Sequence, residues 1–258
     1  MQDRYAGDIG DFAKFALLRN LLAGTNLRLG LAWYLTHQPG DPKGDGRHTK
    51  YLTYSERNEF LYRACDAELY DRLAEIVKSG NRSVAVLGRS GILPPGTVYF
   101  ESPLAFNSGA SGVRYTLKDR AERRKEWLRR ALARTIDCQI LMFDPDNGLE
   151  VKSIGPYSAR GPKYVFFDEL SPYVARGQSI IVYQHATRST PMSEQVAQRL
   201  SELKQRLPLA TEPFALIWRR VSARAFFIAP ARNAETLLNE RVAALLAGPL
   251  GRHFSRYP

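Results

Sequence analysis

Gln139-Ile140-Leu141-Met142-Phe143 is a short apolar run that ends abruptly in Asp144-Pro145-Asp146-Asn147-Gly148. A run this short, bounded by turn residues, suits a strand buried on both faces, and such strands belong to parallel sheets covered by helices. The loop after it is stiff by composition. Pro145 fixes one φ angle and removes a donor, and Asn147-Gly148 readily takes positive φ. In open α/β sheets ligands bind beyond the carboxyl ends of the strands. The polar groups of this loop therefore project where a site is expected, although a plain strand-ending turn would use the same residues.

The rest of the chain alternates in the same way. A helical pattern over residues 11–23 has Asp11 as its N-cap and Gly24 as its stop. An apolar run at 29–35 reads as a strand and leads into a polar loop over 37–50. A helix is expected at 55–78, with short strands at 83–87 and 98–100. A basic helix follows at 118–134, then a helix at 163–175 with a kink near Pro172. Residues 178–183 form a buried strand, 193–207 a helix, 214–218 and 225–228 a hairpin, and 234–246 the last helix. This order predicts an α/β fold: a Rossmann-like open, mostly parallel sheet with helices on both faces and a C-terminal antiparallel hairpin. No linker divides it, so residues 1–258 are expected to form a single domain.

Hydrophobic residues make up 44% of the chain, enough for a buried core. No apolar run approaches the roughly 18 residues that span a bilayer. The opening Met1-Gln2-Asp3-Arg4-Tyr5 holds no apolar signal core, so no membrane partner and a cytoplasmic location are expected. Cys65 and Cys138 are the two cysteines, and their spacing offers no zinc site. The net charge of +11 favours a polyanionic partner, nucleic acid above all.

Three further features bear on chemistry. Asp144, Asp146, Glu150 and Lys152 form a carboxylate cluster with an E-x-K ending. Such oxygens suit Mg²⁺, which would make the protein a metal-dependent nuclease or phosphodiesterase with Asp144, Asp146 and Glu150 as ligands. His185, at the end of the next strand, is a candidate ligand or general base there. The segment Gly40-Asp41-Pro42-Lys43-Gly44-Asp45-Gly46-Arg47-His48 has the composition of a phosphate-cradling loop, with Lys43 and Arg47 adding charge. Nine Lys/Arg and three Asp/Glu fall between Arg114 and Arg134, so this helix is strongly basic. Arg120, Arg123, Trp127, Arg130 and Arg134 share one stripe, suited to phosphate contacts and base stacking. Leu117, Ala121, Leu128 and Leu132 share another, expected to face the core. Arg219, Arg220 and Arg224 form a second basic group at the hairpin.

Ile140-Leu141-Met142-Phe143-Asp144-Pro145-Asp146-Asn147 resembles the strand and Asp/Asn-Pro-Pro-aromatic loop of amino-group methyltransferases, with Asp146 at the second proline and Asn147 at the aromatic. Tyr5-Ala6-Gly7-Asp8-Ile9-Gly10-Asp11-Phe12-Ala13-Lys14 is similar to the opening of one branch, the large-subunit rRNA adenine-N6 methyltransferases. Phe100-Glu101-Ser102-Pro103-Leu104 is similar to a Gly-Ser-Pro-Leu stretch of that branch. The resemblance implies a class I fold, S-adenosylmethionine as cofactor, and methylation of an amino group on RNA or DNA. It implies that Asp144 and the Pro145 carbonyl orient the target amine, with Asp146 and Asn147 completing the loop; Glu150 and His185 are the further catalytic candidates. Asp11 and Lys14 would lie near the cofactor or target. His37 and Gly40 would belong to the cofactor loop after the first strand, and Glu101 would hold the ribose. A catalytically inactive nucleic-acid-binding protein is the third reading.

Overall fold

The computed structural model describes residues 1–36, 46, 48–106, 115–187, 190–208 and 211–257. A seven-stranded sheet organises them, in the order β2-β1-β3-β6-β8-β7-β9. The strands are β1 (Leu29–Trp33), β2 (Val98–Phe100), β3 (Ile140–Asp144), β6 (Ser179–His185), β7 (Phe214–Trp218), β8 (Arg224–Ala229) and β9 (Phe254–Tyr257). β2, β1, β3 and β6 run parallel. β8 enters antiparallel between β6 and β7, and β9 pairs antiparallel with β7. The mixed α/β architecture and the closing antiparallel pair are as the sequence predicts. β9 is an addition. A separate parallel pair joins β4 (Gly148–Leu149) to β5 (Tyr164–Val165).

Alternate residues of each strand point to opposite faces, and each face carries its own core. Leu31, Trp33, Met142, Ile181 and Tyr183 pack with α1 (Ile9–Leu22), α3 (Ala67–Lys78), α4 (Val84–Arg89) and α8 (Glu235–Ala247). Ala32, Tyr34, Leu141, Phe143 and Val182 pack with α5 (Leu117–Arg134), α6 (Phe167–Ala175) and α7 (Met192–Arg206). Every core strand is therefore covered twice, which explains its unbroken apolar sequence. Among the described residues no helix is long and apolar enough to cross a membrane.

Several local expectations are corrected. Asp8, not Asp11, caps α1, accepting from Gly10 N and Asp11 N. Asp11 instead receives the Gly7 amide at 2.9 Å. The helix expected at 55–78 is broken. α2 (Glu56–Asn58) runs into a π-helical turn over Glu59–Arg63, and Asp66 caps α3. Residues 83–87 are helical rather than extended, because the Ser83 hydroxyl and the Asp3 carboxylate take the first amides of α4. Residues 163–165 leave the predicted helix to pair with the loop after β3, a tertiary partner that overrides local pattern.

Candidate functional site

α1 has 12 buried residues among its 14, so its two buried charges, Asp11 and Lys14, must find partners inside the protein. Lys14 Nζ lies 2.8 Å from Asp11 Oδ1 and 2.7 Å from Asp144 Oδ2. It also sits 4.9 Å from the centroid of the Tyr183 ring. Burial opposes the charge on Lys14, but the two carboxylates outweigh it and raise its pKa above the ordinary lysine value. Asp11 is pushed up to about 6, by burial first and then by Asp8 and Asp144, against the pull of Lys14.

Asp144 closes β3 beside Trp33 of β1. β1 connects to β2 on one side of itself and β3 lies on the other, so the crevice above β1 and β3 is the topological switch point of the sheet. The loop after Asp144 is stapled from two directions. Asn147 N donates to Lys163 O at 2.9 Å, and His185 N donates to Asn147 O at 3.3 Å. Gly148 has φ +125°, and a Cβ there would stand 2.5 Å from Gln184 Cγ. Only glycine fits that place. Asp146 receives the Met1 amino group at 2.5 Å and Gln2 Nε2 at 2.7 Å. Burial opposes ionisation of Asp146, yet the Met1 amino group, Gln2 and Lys163 hold its pKa below the usual carboxylate value.

These groups surround a cavity of about 390 Å³. Of the residues named from sequence, Lys14, Asp144, Pro145, Asp146, Asn147, His185 and Arg224 line it, and Asp11 stands directly behind Lys14. Tyr5 and Asp8, from the N-terminal segment, and Gly46 and His48, from the glycine-rich loop, line it as well, while Met1, Lys163, Tyr183 and Ser222 line it and were not named as site residues. Only Tyr183 carried a signal, as the neighbour two positions before His185 on a strand. His185 is exposed at the end of its strand, with Nε2 3.0 Å from the Tyr183 hydroxyl. Burial, then Arg224 and Lys14, push its pKa down, so the ring is neutral at physiological pH.

Other expected site residues lie elsewhere. Glu150 turns to Arg206 at 3.3 Å, and Lys152 is exposed. The carboxylate cluster proposed for Mg²⁺ is therefore not assembled: Asp144 faces Lys14, Asp146 the Met1 amine and Glu150 Arg206. Among the described residues no group of three His, Cys, Asp or Glu is placed to hold a metal. Arg224 is not a surface residue. It is 1% exposed, donating to Tyr183 Oη at 2.7 Å. Arg219 donates to Ser255 Oγ and Arg220 to His253 Nδ1, both on the β9 side of the hairpin.

The basic helix is turned differently from its predicted stripes. Trp127 is buried against Tyr34 and Phe100 and donates to Ser102 O at 2.7 Å. It cannot stack a base. Leu117 is 68% exposed, so it is not a core residue. Arg124 is the helix's buried cation, ion-paired with Glu169 at 2.6 Å. Arg120 donates to Tyr157 O, Arg123 lies over the Tyr115 ring, Arg130 donates to Ser102 Oγ, and Arg134 is exposed. Glu101 is exposed just past β2 and lines a separate hollow with Arg129, Arg130 and Arg134. His37, Gly40, Lys43 and Arg47 lie outside the described residues.

No family model matches the chain, and no curated protein matches it. Among solved structures it is similar to a protein from Legionella pneumophila str. Philadelphia 1 assigned to family model DUF519. The identity is 11% and the TM-score 0.48, over 98% of this chain and 97% of that one. A likeness at this level bears on neither activity nor site.

Proposed function

We propose that the protein is a methyltransferase-like enzyme that uses S-adenosylmethionine to methylate an amino group on RNA or DNA. The observation that carries this reading is the meeting of Lys14 with Asp144 at the switch point of the sheet. The two sequence segments that resemble amino-group methyltransferases lie far apart in the chain, yet they supply the two halves of one ion pair.

The chemistry asked of these residues is positioning. Lys14 bonds Asp144 Oδ2. This fixes the carboxylate and leaves Oδ1, with the Pro145 carbonyl, to accept from a target amine and turn its lone pair outward. A neutral amine needs acceptors rather than a strong base, and a carboxylate held by a lysine supplies them. The cavity is small and polar, so it suits one extruded residue rather than a duplex.

The residues present fit the cofactor in part. Glu101, an exposed carboxylate just past β2, has the chemistry to bind ribose hydroxyls but opens into the separate hollow with Arg129, Arg130 and Arg134. S-adenosylmethionine, when bound, supplies an electrophilic methyl group. The net charge of +11 supports a nucleic-acid partner. So do the exposed Arg219 of the hairpin and the exposed Phe60, which carries the Arg252 guanidinium 4.3 Å from its centroid.

Calorimetric titration with S-adenosylmethionine tests the reading, followed by methyl transfer to total RNA. Saturable binding at micromolar concentration and transfer lost in Asp144→Asn are expected. Nucleic-acid binding without either would turn the protein into an inactive binder.

A further inference from the structure

One wall of the cavity is a chain of three side chains from the antiparallel pair β6 and β8. Arg224 Nε donates to Tyr183 Oη at 2.7 Å, and Tyr183 Oη lies 3.0 Å from His185 Nε2. Arg224 and Tyr183 are buried, at 1% and 4% exposure. Arg224 Nη1 is taken by Ser222 O at 2.9 Å, which fixes the guanidinium.

The direction of these bonds follows from what each group can do. A guanidinium has donors only, so Tyr183 Oη accepts from Arg224. The tyrosine then has one hydrogen to give. Among the described residues His185 Nε2 is its only other hydrogen-bond partner. Giving the hydrogen there leaves the hydroxyl with both a donor and an acceptor. The reverse, His185 Nε2–H pointing at Tyr183, would leave the hydroxyl hydrogen without an acceptor among the described residues. His185 Nε2 is thus an acceptor, and the ring carries its hydrogen on Nδ1.

We infer that Arg224 and Tyr183 lock His185 as a neutral Nδ1–H hydrogen-bond donor at the cavity mouth. Tyr183 and Arg224 are positioning residues; His185 is the group that meets the ligand. The role differs from both roles that sequence suggested. With Nε2 occupied, His185 is not a base toward the ligand and not a metal ligand through that nitrogen. A ligand at this wall must instead offer a lone pair, an oxygen or an unprotonated ring nitrogen. Across the cavity the Asp144 carboxylate asks for a donor. The site therefore selects a group that presents a donor on one side and an acceptor on the other. The selection of an amine-bearing ligand rests on the methyltransferase reading; the lock itself does not.

Nitrogen-15 NMR of the uniformly labelled full chain tests the lock without any turnover. Long-range correlations distinguish the tautomers, and His185→Gln identifies the signal among the four histidines. The expected pattern is a protonated Nδ1 and an acceptor Nε2, unchanged from pH 6 to 8. In Tyr183→Phe that pattern is lost. An Nε2–H tautomer in the unsubstituted protein, or an Nδ1–H pattern that survives Tyr183→Phe, overturns the inference.

A binding arm uses a mixed-sequence single-stranded RNA oligonucleotide as probe. His185→Gln keeps an N–H donor and should bind within about threefold of the parent, whereas His185→Leu should lose about tenfold. Equal loss in both, or loss in neither, overturns the donor role. Failure of the parent chain to bind RNA removes the nucleic-acid reading, and the tautomer measurement still decides the lock.

Discussion

Lys14 Nζ is 2.7 Å from Asp144 Oδ2 and 2.8 Å from Asp11 Oδ1, so one buried ammonium serves two carboxylates. Removing it would leave both acids buried with no cation between them. Lys14→Met should cost about 3–5 kcal/mol of stability, because breaking a buried pair strands an uncompensated charge. Urea unfolding measures this. A loss under about 1 kcal/mol would show that the ammonium is not shared as described.

The same triad predicts a pH dependence. Asp11 has its folded pKa pushed up to about 6 from 3.8, chiefly by burial. Between these values the folded state holds more protons than the unfolded state at this site. The Asp11 contribution to stability is therefore greatest below pH 3.8 and falls as pH rises to about 6. Asp11→Asn abolishes that titration. Its stability relative to the parent should climb between pH 4 and 6 and level off above. A flat difference across that window would contradict the burial argument.

Gly148 keeps the Asp144 loop closed against β6. With φ +125° and Gln184 Cγ 2.5 Å from the place of a Cβ, Gly148→Ala must move either the loop or Gln184. Gln184 Oε1 accepts from Leu149 N at 3.2 Å, so that bond should be lost as well. A cost of about 1–3 kcal/mol is expected, with weakened ligand binding at Asp144. Equilibrium unfolding and calorimetry read the two effects separately.

What the sequence made legible follows from the range of the interactions. The apolar run into Asp144 announced a doubly covered strand and its site, because strand burial and turn chemistry are local. The resemblance placed Lys14 near the cofactor or target, but its pairing with Asp144 was not legible, since their contact spans 130 positions. The carboxylates at 144, 146 and 150 looked like one cluster because they are close in sequence. The turn at Gly148 and the β4–β5 pairing send Glu150 away towards Arg206. Tyr183 looked like core, and it is, except that its hydroxyl reaches the cavity. Residues 83–87 were read as a strand because four consecutive apolar residues, 84–87, fit either a strand or one helical turn.

The basic helix carries the last prediction, and it separates surface from core. Trp127 is 4% exposed between Tyr34 and Phe100, so Trp127→Ala should cost about 3–5 kcal/mol by opening a cavity. Trp127→Phe, which keeps most of the packing, should fold and bind nucleic acid as the parent does. Arg123 and Arg130 are exposed. If phosphates lie against them, Arg123→Ala and Arg130→Ala should each lower the slope of log affinity against log salt by about 1 without changing stability. Fluorescence anisotropy with a labelled oligonucleotide at several salt concentrations measures the slope. An unchanged slope in both variants would move the phosphate contacts away from this helix, leaving the hairpin arginines and the Phe60 surface to make them.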